Sequence, residues 1–172
     1  MRTKTCLFIL LSLSLSAYSQ NYWQQAVDYK MEVDIDVKTF KYSGKQELLY
    51  TNNSPDSLKK VFYHLYFNAF QPGSEMSDRI KNGKDKNKRF RIDIDSLEPN
   101  EVGYLKVSNL KQDGNVLKHE LSETILEVSL SKPLIPGETT KLTLNFEGQI
   151  PKLVRRAGRN SSEGVALSMA QW

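Results

Sequence analysis

This 172-residue sequence holds two histidines, and His119 opens the string His119-Glu120-Leu121-Ser122-Glu123. A zinc hydrolase site of the His-Glu-x-x-His kind needs two imidazoles four residues apart on one helical face, with the glutamate activating water. Here the fifth position is Glu123, and the segment alternates like strand and turn. Extended at ~3.3 Å per residue, positions 119 and 123 would stand roughly 13 Å apart, too far to share an ion. The second histidine, His64, lies in Phe62-Tyr63-His64-Leu65-Tyr66-Phe67 on a different expected strand. Alternation puts it on the opposite sheet face from Tyr63 and Leu65, and a hydrogen-bonded or surface histidine is favoured over a metal ligand. Asp34 and Asp36 share a strand face, as do Asp93 and Asp95, and paired carboxylates could do acid–base work or hold calcium. Their interleaving with Val33, Ile35, Ile92 and Ile94 instead marks the wet side of amphipathic strands. No serine occupies a Gly-x-Ser-x-Gly turn with a histidine placed to activate it. The expectation is a chain with no catalytic and no metal-ligating residue of its own.

The elements that would carry these residues are strands. Tyr29, Met31, Val33, Ile35 and Val37 alternate with Lys30, Glu32, Asp34, Asp36 and Lys38, so one face of this segment is expected to meet a core. Lys41 to Thr51 forms a second run, stopped by Asn52-Asn53-Ser54-Pro55-Asp56. Leu58 to Phe67, rich in aromatics, is a third, and Pro72-Gly73 breaks the chain beyond it. Residues 71–89 read as a polar connection with a turn of helix near Asp78, after which Phe90 to Ile94 returns to strand alternation. Tyr104 to Leu110 and Val116 to Leu121 read as a hairpin around Gln112-Asp113-Gly114-Asn115. Leu126, Val128 and Leu130, then Leu142, Leu144 and Phe146, read as an antiparallel pair joined at Pro136-Gly137. With at least seven short strands and no helix-length window of period 3.6, the fold class is all-β, an antiparallel sandwich or curved sheet.

The first twenty residues carry an export address. Arg2 and Lys4 supply positive charge, Leu7 to Leu15 form a short apolar run interleaved with serine, and Ala17-Tyr18-Ser19 offers a cleavage point. The run is roughly half of the ~20 residues a membrane span needs. The expected organisation is a signal peptide over 1–19, an N-terminal β domain over 20–152, and a terminal segment of the same domain over 153–172. The destination is periplasmic or extracellular, with no membrane span after cleavage. The single cysteine, Cys6, would leave with the signal, so the remainder can make no disulfide and no thiolate site. The chain carries 24 Lys+Arg against 20 Asp+Glu, a net +4, which falls to +2 when Arg2 and Lys4 are removed. That excess is too small to argue for an anionic partner. The one basic concentration, Lys81 to Arg91, is full of Asn, Gly and Asp and lacks aromatic platforms, so it reads as a solvated loop and not as a nucleic-acid surface. The apolar run Val165 to Trp172 is expected to continue into further polypeptide.

Three blocks in order carry a family resemblance: Tyr42-Ser43-Gly44-Lys45 leading to Asn52, the strand ending Tyr66-Phe67-Asn68-Ala69-Phe70, and Pro133-Leu134-Ile135-Pro136-Gly137-Glu138 followed by Ile150-Pro151. From about Tyr29 to Trp172 the chain resembles the N-terminal domain of the aminopeptidase N family of zinc metallopeptidases, most closely its secreted bacterial members. The resemblance implies a saddle-shaped, mainly antiparallel β domain that leans on a thermolysin-like catalytic domain and closes one wall of its peptide cleft. It also implies a substrate-binding glutamine near the end of the domain, matched by Gln171 in Ala170-Gln171-Trp172; the family's second residue of that pair would follow Trp172. A neutral amide oxygen there would accept a hydrogen bond from the free amino end of a peptide. The Gly-x-Met-Glu-Asn loop, the His-Glu-x-x-His helix and the downstream glutamate ligand have no match in these residues. Zinc and peptide substrate are therefore expected only in a full-length protein, whose catalytic domain would be this chain's partner, with no cofactor held by the chain alone. The competing expectation is a stand-alone secreted β-sandwich binding or adhesion module. A domain built to dock should bare an apolar patch with a polar rim, whereas an independent module should cover it.

Overall fold

Among the described residues, the alternation seen in the sequence leads to ten strands. The computed structural model describes residues 22–83, 93–152, 157–160 and 164–169. The strands are β1 (Ala26–Asp36), β2 (Lys41–Thr51), β3 (Leu58–His64), β4 (Tyr104–Gln112), β5 (Asn115–Val116), β6 (Lys118–Ser122), β7 (Ile125–Leu134), β8 (Thr139–Gln149), β9 (Ala157–Arg159) and β10 (Leu167–Met169). They form a five-stranded sheet in the order β1-β2-β8-β4-β5, a three-stranded sheet β3-β7-β6, and a β9-β10 ribbon, and every pairing within these sheets is antiparallel. The chain is all-β and antiparallel, as its periodicity implies. The expected signal segment 1–19, most of the basic loop 81–91, most of the strand expected over 90–94, and Gln171 lie outside the described residues.

The two larger sheets pack face to face. Tyr42, Leu48, Leu105, Leu142, Leu144 and Phe146 point inward from the larger sheet, and Val61, Leu126 and Val128 from the smaller. Leu110 adds to this core from β4, and Phe67, Leu117 and Ile150 close it from the connections. Two glycines permit the closest approaches. A Cβ on Gly148 would enter the ring of Tyr42, its cross-strand neighbour, and one on Gly44 would strike Phe146 and the Glu32 carbonyl.

Four sequence expectations are corrected. The pair expected around Pro136-Gly137 is not a hairpin: β7 belongs to the smaller sheet and β8 to the larger, so this turn is a corner between layers. Asn52 holds the strands apart there. Its backbone exchanges hydrogen bonds with Glu138 O at 2.9 Å and Gly137 N at 2.7 Å, and its side-chain NH2 donates to Leu134 O at 2.9 Å. The expected second arm Val116 to Leu121 likewise divides between sheets. After the tight Asp113-Gly114 turn, in which both residues take positive φ, β5 pairs with β4 for two residues; the chain then dips through buried Leu117 into β6 of the other layer. The third run stops at His64, because Leu65 leaves extended geometry and opens a 3-10 turn, Tyr66–Phe70. Finally, Asp93 and Asp95 flank and enter a 3-10 turn, Ile94–Ser96, and share no strand face. The helical turn near Asp78 is a short helix, α1 (Glu75–Lys81), whose Ser74 cap accepts from Ser77 N and whose acidic and basic residues sit at opposite ends.

The first strand departs from expectation in a different way. Its apolar residues do lie on the inner face, in register with Leu48 and Tyr42, yet the covering layer has three strands against five and does not reach them. Every residue of β1 is exposed.

Candidate functional site

The smaller sheet separates the two histidines. His64 stands opposite Ile125, in the row that ends at Ser122, and His119 stands opposite Val128, in the row of Val61. These rows alternate, so the imidazoles emerge on opposite faces with β7 between them. Each is accounted for locally: His64 Nε2 is 3.0 Å from the Thr124 hydroxyl and its ring stacks on Tyr66 at 3.8 Å, while His119 is exposed at the sheet edge. Among the described residues no group of three or more His, Cys, Asp or Glu side chains could hold a metal ion. On opposite faces of the sheet, His64 and His119 cannot ligate one zinc ion together.

Asp34 is exposed on β1, whereas Asp36, Asp93, Asp95 and Asp113 are engaged locally. Asp36 accepts from Lys38 N and from the Thr39 amide and hydroxyl, bonds led by Thr39 Oγ1 that hold its pKa below the usual carboxylate value. Asp95 accepts from Gly73 N and Ser77 Oγ and pairs with Lys81, tying α1 to the 3-10 turn beside it. Asp93 caps that turn through Asp95 N. Asp113 is held low chiefly by the Thr140 hydroxyl at 2.7 Å and then by Lys141 N. These groups fix loops.

The feature suited to contact is a groove of about 380 Å³ under the overhanging inner face of β1. Tyr29, Met31 and Gln46 form its sheet wall, Phe62 and Tyr63 with the His64–Tyr66 stack form the opposite wall, and Leu144 and Phe146 lie among its lining residues. The groove lies where the third strand ends at His64. The aromatics that follow, which a longer strand would have carried past the sheet, turn back beside β1. Burial, followed by the nearby Tyr29, pushes the Tyr63 hydroxyl far above its ordinary pKa, so it stays neutral. Its oxygen is buried with no hydrogen-bond partner among the described residues. Its surface is largely apolar, with the polar tips of Tyr29, Gln46, Tyr63, His64 and Tyr66 set into it, so the groove can seat greasy side chains.

On β1 itself Val27, Tyr29, Met31, Val33 and Ile35 remain 38–55 % exposed, whereas Leu48 and Leu142 further into the same face are at 4 % and 1 %. The opposite face of the strand carries Asp28, Lys30, Glu32 and Asp34, so the apolar stripe has a charged rim. The sequence marks this stripe as amphipathic but cannot reveal that it is left uncovered, which depends on how many strands the second layer holds.

A set of buried amides escaped the sequence reading. Asn52, Asn68, Gln112 and Gln149 are each at most 7 % exposed. Gln112 accepts from Ser131 and Lys132 across the layers, Asn68 accepts from Leu105 N, and Gln149 donates to Pro99 and Val102 carbonyls. Their only sequence signal is a polar residue at an inward-facing strand position or beside a turn. Among the described residues no helix is long and apolar enough to cross a membrane.

No family model and no curated protein matches the chain. Among solved structures it is similar to an M1 zinc metallopeptidase from Deinococcus radiodurans, with 17 % identity and a TM-score of 0.48 over 79 % of this chain and 24 % of that one. A variant of the Deinococcus radiodurans enzyme bound to a Tyr-Ser-Ala substrate aligns at 16 % identity and a TM-score of 0.47, over 79 % of this chain and 24 % of that one. A two-domain M1 zinc metallopeptidase variant bound to L-tryptophan aligns at 19 % identity and 0.48, over 81 % and 26 %. The chain thus spans about a quarter of the length of the structures it matches.

Proposed function

We propose that this chain is a non-catalytic N-terminal β domain of a larger, exported, zinc-dependent aminopeptidase-like protein, organised as a leader over 1–19, a β domain over 20–152 and a terminal segment over 153–172. In this reading the domain forms part of the wall of the peptide-binding cleft, and Gln171 meets the amino end of a bound peptide. The zinc and the hydrolytic chemistry belong to the catalytic domain, which is the partner of the exposed sheet face. The ordered blocks Tyr42 to Asn52, Tyr66 to Phe70 and Pro133 to Pro151 support the family reading.

The observation that carries the proposal is the bare apolar stripe of β1. An independent sandwich module gains by covering such a surface; a domain that closes against another keeps it open. Five half-exposed side chains represent on the order of 5 kcal/mol of burial still to be gained, before the cost of association.

The test reads the gene and the protein together. Downstream coding sequence is expected to supply a His-Glu-x-x-His helix. The purified 172-residue chain is expected neither to retain zinc nor to cleave an aminoacyl-anilide, while the same chain joined to that zinc domain does both. Metal-dependent cleavage by the 172 residues alone would overturn the reading.

A further inference from the structure

We propose that the outer edge of β1 pairs with β1 of a second copy of this chain, antiparallel and centred on Tyr29, so that two five-stranded sheets become one of ten. The pairing uses the backbone edge of β1 and goes beyond the docking face described above.

The edges of the two larger sheets are unequally protected. The far edge of the larger sheet is β5, two residues long, and β3 at the edge of the smaller sheet carries a register shift beside Lys59 and Lys60. Short edges, irregularities and lysines are the ordinary protections against edge-to-edge association. The first strand is protected only by its charged residues, Lys30 among them. It pairs with β2 without a register shift over eleven residues, contains no proline or glycine, and has no strand on its outer side among the described residues.

Register narrows the pairing further. A two-fold antiparallel pairing that keeps apolar side chains on one face must centre on a residue, which leaves few choices. Centred on Tyr29, Val27 meets Met31 of the partner strand, Ala26 meets Glu32, and Asp28 meets Lys30 twice, with no like charges opposed. Centring on Met31 gives two Lys30–Glu32 pairs but opposes Asp28 to Asp34 twice. Centring on Lys30 or Glu32 sets identical charges against each other at the axis, and centring on Val33 opposes Glu32 to Asp34. Within one chain Lys30 already faces Glu47, and Glu32 faces Lys45, whereas Asp28 faces Leu49. The Tyr29-centred register supplies the cation that Asp28 lacks across its own ladder and places the two apolar stripes side by side.

Sedimentation equilibrium on the full chain should give twice the mass of one chain, dissociating on dilution. Asp28→Lys alone and Lys30→Glu alone each oppose like charges twice and should weaken the dimer about tenfold or more. Asp28→Lys with Lys30→Glu together should restore it. All these positions are exposed, so the monomer fold is expected to survive, with circular dichroism as the check. In a Cys6→Ser background, single cysteines at 27, 29, 31 and 33 are oxidised in turn. Directly opposed residues lie within disulfide reach, so only Tyr29→Cys should link efficiently to itself. A single-chain mass at every concentration overturns the proposal, whether the edge stays bare or a different polypeptide takes it. A double variant no better than the singles, or strongest linkage at another position, also overturns it.

Discussion

Asn52 shows how much one buried side chain can decide. Its amide donates to Asp56 O and Leu134 O, and its oxygen accepts from the Ser54 amide and hydroxyl and from Gln25, so a fully enclosed polar group has its bonding capacity filled. Replacing it removes several bonds at once and strands carbonyls that water cannot reach. Asn52→Ala is expected to lower stability by about 2–4 kcal/mol, read as a fall in the urea midpoint at unchanged slope. The sequence shows Asn52 only as the start of a turn-forming cluster. Its second role, keeping β7 and β8 apart, involves Leu134, Gly137 and Glu138, which are remote in sequence and become neighbours only when both sheets exist. His64 is more readable, since period-two alternation already assigns it a sheet face.

Among the elements, β2 agrees with its sequence signal to the residue at both ends, and β8 contains the apolar alternation Leu142, Leu144, Phe146 that announces it. Alternation reports that a segment is extended and half-buried, but not which strand lies beside it. Hence Ile125–Leu134 and Thr139–Gln149 are found as strands while their expected partnership fails, and the segment after Gly114 changes sheet at Leu117 without any marker in its composition. The close passage of β2 over β8 is a second feature of this scale. Tyr42 occupies the space a side chain on Gly148 would need, one residue from the end of the ladder that pairs the two strands. Gly148→Ala is expected to destabilise by about 1–3 kcal/mol through overpacking, measured by thermal unfolding; Gly137→Ala acts by a different route, through its φ of 79°.

For the molecule as a whole, the mismatch of five strands against three divides one continuous sheet face into a sealed part and an open part. Lysine substitutions should map that division. Met31→Lys, in the open part, is expected to change stability by no more than about 0.5 kcal/mol and to reduce binding of a hydrophobic dye. Leu144→Lys, two strands further in and 5 % exposed, is expected to unfold the domain, because its ammonium would be buried without a counter-charge. Equal responses at the two positions would mean that the stripe is covered in solution. The ladder between β2 and β8 has a temporal side as well, for Thr51 and Thr139 hydrogen-bond across 88 intervening steps of chain. At about 5–20 residues per second, the ribosome releases the opening hairpin roughly 4–18 seconds before the strand that will flank it. Throughout that wait both the inner surface of the hairpin and the side of β2 meant for β8 are uncovered, so the nascent chain is a client for holding chaperones well before it is a folded domain.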